Sequence, residues 1–221
     1  MRILFSSDLH GNIPLYEELW RLAKEDAADA IILGGDLFSL TQPFYRRIQE
    51  QIEFARSYLK PALGAFRSRH PEKTVFLLHG NTDWMTAVAV LNELAHEGLV
   101  RLLHGRIHPL GESHWIVGYA HVPPTPFLMK DFERLDLRNA PVPGQRMTSY
   151  RSDGPKIVVV DAEDHFRSHP SIEEELETLP RPPSLSRTLY VFHSPPFGTG
   201  LDLTRSGEAV GSRAIRDFIE R

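Results

Sequence analysis

Asp8 and His10 stand two positions apart where the apolar run Ile3-Leu4-Phe5 ends, in a chain of 221 residues with no cysteine. Side chains two apart on a strand point the same way, so this carboxylate and imidazole can reach one cation. Before Gly11-Asn12 the same residues also suit a turn, and the pair alone leaves both readings open. The pattern then recurs. Asp29-Ala30-Ile31-Ile32-Leu33 runs into Gly34-Gly35-Asp36, Thr74-Val75-Phe76-Leu77-Leu78 into His79-Gly80-Asn81-Thr82-Asp83, and Thr188-Leu189-Tyr190-Val191-Phe192 into His193.

Each of these residues has an ordinary use. Asp36 after two glycines shapes a turn or caps a helix, and Gly80-Asn81 is a common turn pair. His193 reads equally as a buried, hydrogen-bonded histidine, and Thr82 and Asp83 as caps of a helix starting at Trp84. His79 reads as structural. His96, His104, His108, His114, His121, His165 and His169 lack comparable partners and read as solvated or core residues. Four independent strand ends with a ligand-type residue are harder to explain singly. Without thiolates, the candidate donors are nitrogen and oxygen, a set suited to manganese, iron, zinc or nickel. Two such ions about 3.5–4 Å apart, sharing a carboxylate and a hydroxide, drive in-line attack on phosphorus.

Elements that bring these ends together are legible in the periodicity. Leu15, Leu19 and Leu22 predict a helix after the first strand, with Pro14 in its first turn. Phe44, Ile48, Ile52, Ala55 and Leu59 predict a second helix, ended by Pro61 ahead of a short helical piece at 63–69. Trp84, Val88, Leu91 and Ala95 predict another. Alternating strands and helices imply an α/β fold with a largely parallel sheet, whose ligands bind beyond the carboxyl ends of its strands. Val100–Leu103 and Trp115–Tyr119 then predict adjacent strands and a second sheet.

Residues 122–186 read as an insertion within a single domain spanning 1–221, bounded by Pro123-Pro124-Thr125-Pro126 and Pro180-Arg181-Pro182-Pro183. The segment contains a strand at Ile157–Val160 and a helix whose capping box is Ser171 with Glu174. A stretch this long predicts a partly structured cap over the strand ends. Its basic residues Lys130, Arg134 and Arg138 are either a solvated helix face or contacts for a phosphate. A final helix is predicted from Ser212 through Ile215 and Ile219.

The net charge of −4 carries no basic footprint for general nucleic-acid binding. No window is long and apolar enough to span a membrane, and the first apolar run is too short for a signal peptide. The expected location is the cytoplasm.

In order along the chain, Asp8-Leu9-His10, Gly35-Asp36, Gly80-Asn81-Thr82-Asp83 and His193 resemble the blocks of the calcineurin-like metallophosphoesterase family in its Gly-Asn-x-Asp variant. The resemblance implies two packed mixed β-sheets flanked by helices in four layers. It implies that Asp8 and His10 bind one divalent transition metal ion, that Asp36 bridges two, and that Asn81 and His193 bind the second. Manganese is the first expectation for both ions. The implied activity is hydrolysis of a phosphate-ester small molecule or nucleotide, with Asn81 as a candidate substrate contact beside Lys130 and Arg134 of the inserted segment, and Asp83 as a candidate catalytic group. Thr82 stands where many members carry a leaving-group histidine. A threonine supplies no proton near neutral pH, which points to a phosphodiester or a good leaving group. The family's Gly-His-x-His block does not follow His193. The expectation is therefore a C-terminally incomplete fold, truncated relative to an active enzyme, with a non-catalytic scaffold or regulatory protein as the competing reading.

Overall fold

The computed structural model describes residues 1–25, 28–41, 43–144 and 148–221. Its first sheet is four-stranded and parallel throughout: β1 (Ile3–Ser6), β2 (Ala30–Gly34), β3 (Thr74–Leu78) and β4 (Arg101–Leu102), paired in that order. The helices α1 (Ile13–Glu25), α2 (Arg47–Phe54), α3 (Lys60–Arg69) and α4 (Met85–His96) cover one face. A second sheet, mixed, pairs β5 (Ile107–Leu110), β6 (His114–Tyr119) and β9 (Thr188–Phe192). The central segment supplies the hairpin β7 (Ser149–Asp153) and β8 (Lys156–Val160), then α5 (Ala162–Arg167) and α6 (Ile172–Glu177). The last helix is α7 (Arg213–Glu220).

Strand alternation explains the layering. On β2 and β3, Ile31, Leu33, Val75 and Leu77 pack under the helices against Tyr16, Trp20 and Leu91. Their neighbours Ala30, Ile32, Phe76 and Leu78 face the other way and meet Leu110, Ile116 and Val191 of the second sheet. Both faces are apolar, as a parallel sheet covered on each side requires. The far face of the second sheet, through Val117 and Tyr119, packs on Ile172 and Leu176 of α6 and on Ala214 and Ile215 of α7. Four layers result: helices, sheet, sheet, helices.

Two local expectations change. The helix does not break at Pro61; α2 passes through a π turn, Ala55–Leu59, straight into α3, and the proline follows that widened turn. The strand β5 carries Pro109, which hides it from a sequence reading, and it lies at the edge of its sheet, where proline is tolerated. Among the described residues, no helix is long and apolar enough to cross a membrane.

Candidate metal centre

Parallel pairing of β1 with β2 and of β2 with β3 brings the three loops after them to one edge. The first two loops continue the ladder beyond the strands. Asp8 N–H donates to Gly35 O (3.0 Å), His10 N–H to Asp36 O (2.9 Å) and Gly11 N–H to Leu37 O (2.8 Å). This pairing holds Asp8, His10 and Asp36 at φ of 57°, 46° and 52°, the left-handed region that non-glycine residues rarely occupy. Such a conformation costs on the order of 1–3 kcal/mol per residue and recurs where side-chain aim matters more than backbone ease. Here it aims the ligand atoms of Asp8, His10 and Asp36 to within 4.8 Å of one another.

Asp36 is the centre. Its carboxylate is buried, with Oδ2 3.7 Å from His10 Nε2 and Oδ1 3.4 Å from His193 Nε2. Thr82 N–H donates to Oδ1 at 3.0 Å. On that second side His193 Nε2 also lies 3.2 Å from Asn81 Oδ1. The other ring nitrogen, Nδ1, faces Gly34 O at 2.9 Å, so it carries a proton and leaves Nε2 aimed at Asp36 and Asn81. Gly80 is required: a Cβ there would collide with the Asp36 carboxylate and with His193 Nε2. A Cβ at Gly35 would strike the His193 ring.

Burial alone would raise the Asp36 pKa, but the hydrogen bond and charge of His193, the Thr82 amide and His10 together hold it below the usual carboxylate range. Burial alone would depress His193; its hydrogen bond to Asp36 and that charge instead lift it to about 9. A proton on Nε2 thus answers the oxygens of Asp36 and Asn81 when no cation does. The donor set fits a divalent cation in its place. Buried His10 Nδ1 and Asn81 Nδ2 have no hydrogen-bond partner among the described residues.

Asp83 sits behind these residues and not over them. It is fully buried and accepts N–H bonds from Gly80 (2.8 Å), Phe38 (3.0 Å) and Leu37 (3.1 Å), tying the loop after β2 to the loop after β3. Desolvation, then the charge of Asp36, raises its pKa to about 7. The geometry makes it a positioning residue. Gln51 on α2 has a similar duty that the sequence does not advertise. Its side chain accepts from Trp84 N–H (2.8 Å) and donates to Thr82 O (3.0 Å), which pins the loop from the helix side.

Lys130 and Arg134 are neither a solvated helix face nor free for a phosphate, whereas Arg138 is solvated. Residues 130–138 form turns and not a helix. Lys130 is 1% exposed, and its ammonium donates to Thr125 O (2.9 Å), Phe127 O (2.5 Å) and Glu133 (2.8 Å), which uses its three protons. Arg134 is also buried, bonded to Asp131 O (3.1 Å), Glu133 O (2.8 Å) and Glu175 (3.4 Å). Arg138 is half exposed and pairs with Glu174 and Glu177. Carboxylates of the same segment neutralise these cations, so Lys130 and Arg134 brace the segment and Lys130 has no donor left for a phosphate.

The structure gathers three other histidines, His79, His104 and His121, whose ligand atoms also lie within 4.8 Å of one another. They end up close because they follow strands of two different sheets, a proximity that sequence spacing does not show.

Comparison with solved structures gives the same architecture. One crystal structure aligns over 99% of this chain and 79% of its own, at 13% identity and a TM-score of 0.55. The crystal structure of TT1561 of Thermus thermophilus aligns over 99% of this chain and 76% of its own, at 17% identity and a TM-score of 0.51. At these identities the likeness concerns the fold. No curated protein matches. The family model for calcineurin-like phosphoesterases matches residues 1–221, and with the ligand-type residues converging on Asp36, the chain belongs to the calcineurin-like phosphoesterase family.

Proposed function

We propose that the protein is a metal-dependent phosphodiesterase acting on a phosphate-ester small molecule or nucleotide. One observation carries this reading: the two oxygens of Asp36 meet different histidines, Oδ2 3.7 Å from His10 Nε2 and Oδ1 3.4 Å from His193 Nε2. That is the disposition of a bridging carboxylate. Asp8 and His10 are the ligands on one side, and Asn81 and His193 those on the other. Manganese is the first candidate for both ions, ahead of iron, zinc and nickel. When bound, a pair of divalent ions supplies Lewis acidity and an activated water for in-line attack on phosphorus.

The chain's own residues do the positioning. Gly34 O fixes the His193 ring, Thr82 N–H orients Asp36, and Asp83 holds the backbone of both loops. Asn81 Nδ2, without a partner among the described residues, is a donor for a phosphoryl oxygen. The Thr82 hydroxyl is buried and likewise without a hydrogen-bond partner among the described residues, and its side chain is no proton source near neutral pH. A substrate with a good leaving group suits such a site, which favours diesters and activated esters over alkyl monoesters.

The test is bound metal and hydrolysis by the purified protein, comparing bis(p-nitrophenyl) phosphate with p-nitrophenyl phosphate. Metal-dependent turnover, faster on the diester, is expected. Equal or faster turnover of the monoester overturns the diester assignment. A folded protein that takes up no manganese, iron, zinc or nickel and hydrolyses neither substrate overturns the enzyme reading in favour of a scaffold or regulatory protein.

A further inference from the structure

His79 follows β3, His104 lies just past β4 and bridges to Gly118 of β6, and His121 lies just past β6. Their ring centres are 5.0 Å (His79 to His104), 4.5 Å (His104 to His121) and 6.3 Å (His79 to His121) apart. Three imidazoles on one tetrahedral zinc, with Zn–N near 2.0–2.1 Å, place their ring centres about 5 Å apart. The three rings therefore stand close to the arrangement that one ion imposes.

The hydrogen bonds around the rings set which atoms are available. His121 Nδ1 donates to Glu175 Oε2 at 2.6 Å, which leaves the lone pair on Nε2. That carboxylate is itself fixed, by Tyr119 Oη–H at 2.6 Å and Arg134 Nε at 3.4 Å. A carboxylate behind an imidazole is the usual outer support of a histidine metal ligand. His79 is 8% exposed, and its Nε2 is buried with no hydrogen-bond partner among the described residues. His104 is the adjustable member. Ala120 N–H donates to its Nδ1 at 3.0 Å, a bond that is given up when the ring binds a metal, through Nδ1 because the lone pair is taken or through Nε2 because the neutral ring's proton moves to Nδ1. It is also the least buried of the three.

The neutral imidazole is the form that binds metal. Desolvation, followed by the charge of His121, lowers His104 to about 3. Desolvation also lowers His121, against the opposing pull of Glu175.

We propose that His79, His104 and His121, with Glu175 orienting His121, form a zinc site separate from the Asp36-centred pair. With three imidazole ligands the ion keeps a fourth position for water or a small ligand.

The experiment uses chelator-treated protein loaded with Zn²⁺ and desalted, with zinc per chain read by mass spectrometry. An Asp8→Ala/Asp36→Ala variant, which dismantles the other centre, is expected to retain one zinc, and Co²⁺ in its place to show tetrahedral visible absorption. Adding His121→Ala is expected to abolish retention, and Glu175→Gln to weaken it 10–100-fold. Zinc-free double variant that is folded by circular dichroism overturns the proposal, as does zinc retained after His121→Ala. Should the double variant not fold, His121→Ala alone serves: it is expected to lower the zinc content of the otherwise unchanged protein by one ion, and an unchanged content overturns the proposal. Hydrolysis of phosphate esters is not the readout, so loss of the phosphodiesterase reading leaves this test intact.

Discussion

His193 and His104 are both largely buried imidazoles at strand ends, and they are driven to opposite charge states. His193 meets the Asp36 carboxylate and rises to about 9, whereas His104 faces other imidazoles and falls to about 3. Burial opposes the proton in both. The difference is the partner: one region is built around a carboxylate at its centre, while the other keeps its carboxylate, Glu175, behind a ring. Desolvation sets the default, and a single correctly placed carboxylate reverses it. The first region suits hard cations held by mixed oxygen and nitrogen donors, the second a borderline cation held by nitrogen alone.

The comparison breaks most sharply at Asp36. Asp36→Ala removes the carboxylate that serves both sides, and hydrolysis is expected to fall by more than about 100-fold, the upper range seen when only an outer support is lost. Unchanged turnover would remove Asp36 from the bridging position. A smaller but still large effect is expected at Lys130. Lys130→Met leaves Glu133, itself fully buried, without its cation and is expected to cost about 3–5 kcal/mol in denaturant unfolding. A raised KM with unchanged stability would instead return Lys130 to the substrate.

Acid titration separates the two regions further. In metal-free protein the folded state keeps His104 neutral down to about 3, while an unfolded histidine takes its proton near 6.5. Its pKa is depressed on folding, so stability is present above about 6.5 and is lost as pH falls from there toward 3. Burial opposes the ionisation of Glu175, but His121, Tyr119 and Arg134 prevail and hold it at about 2; its contribution is present above an unfolded value near 4.3 and is lost as pH falls toward 2. Together they are expected to lower stability by on the order of a few kcal/mol between pH 7 and 3, with an onset already below pH 6.5. Zinc in the histidine cluster is expected to delay that onset. A flat profile above pH 5 would show that His104 is not desolvated as described.

Two weaker perturbations sharpen the supporting structure. Asp83→Asn halves the acceptor capacity facing three amides and is expected to destabilise by about 1–3 kcal/mol. The measurement is the chemical denaturation midpoint of the apoprotein, and no shift would remove Asp83 from the bracing position. Arg138→Ala, at an exposed pair with Glu174 and Glu177, is expected to change stability by less than about 1 kcal/mol and to leave KM for the diester unchanged.

The four strand ends were legible because β1, β2, β3 and β9 each announce themselves as apolar runs; parallel pairing puts the ends of β1, β2 and β3 along one edge, and β9 brings His193 to it from the second sheet, parallel to β6. Asp8, His10, Asp36, Asn81 and His193 could therefore be placed near each other without coordinates. Gln51 was hidden because it lies on a helix face whose apolar spacing predicts only core packing. Lys130 and Arg134 were read as a solvated face or as phosphate contacts because local sequence shows the cations and not what surrounds them. Glu133 is three residues from Lys130, but Glu175 is 41 residues from Arg134.

What the sequence determined by itself is the set of strand ends and the ligand types on them, since strand periodicity is local and parallel α/β topology leaves few alternatives for where those ends go. Tertiary structure alone decided the aim of the side chains and their charge. The left-handed φ at Asp8, His10 and Asp36 is imposed by hydrogen bonds between loops, and the cluster of His79, His104 and His121 exists only because two sheets stack. Proton affinities follow from that placement, because desolvation and the nearest charge depend on distances through space and not along the chain.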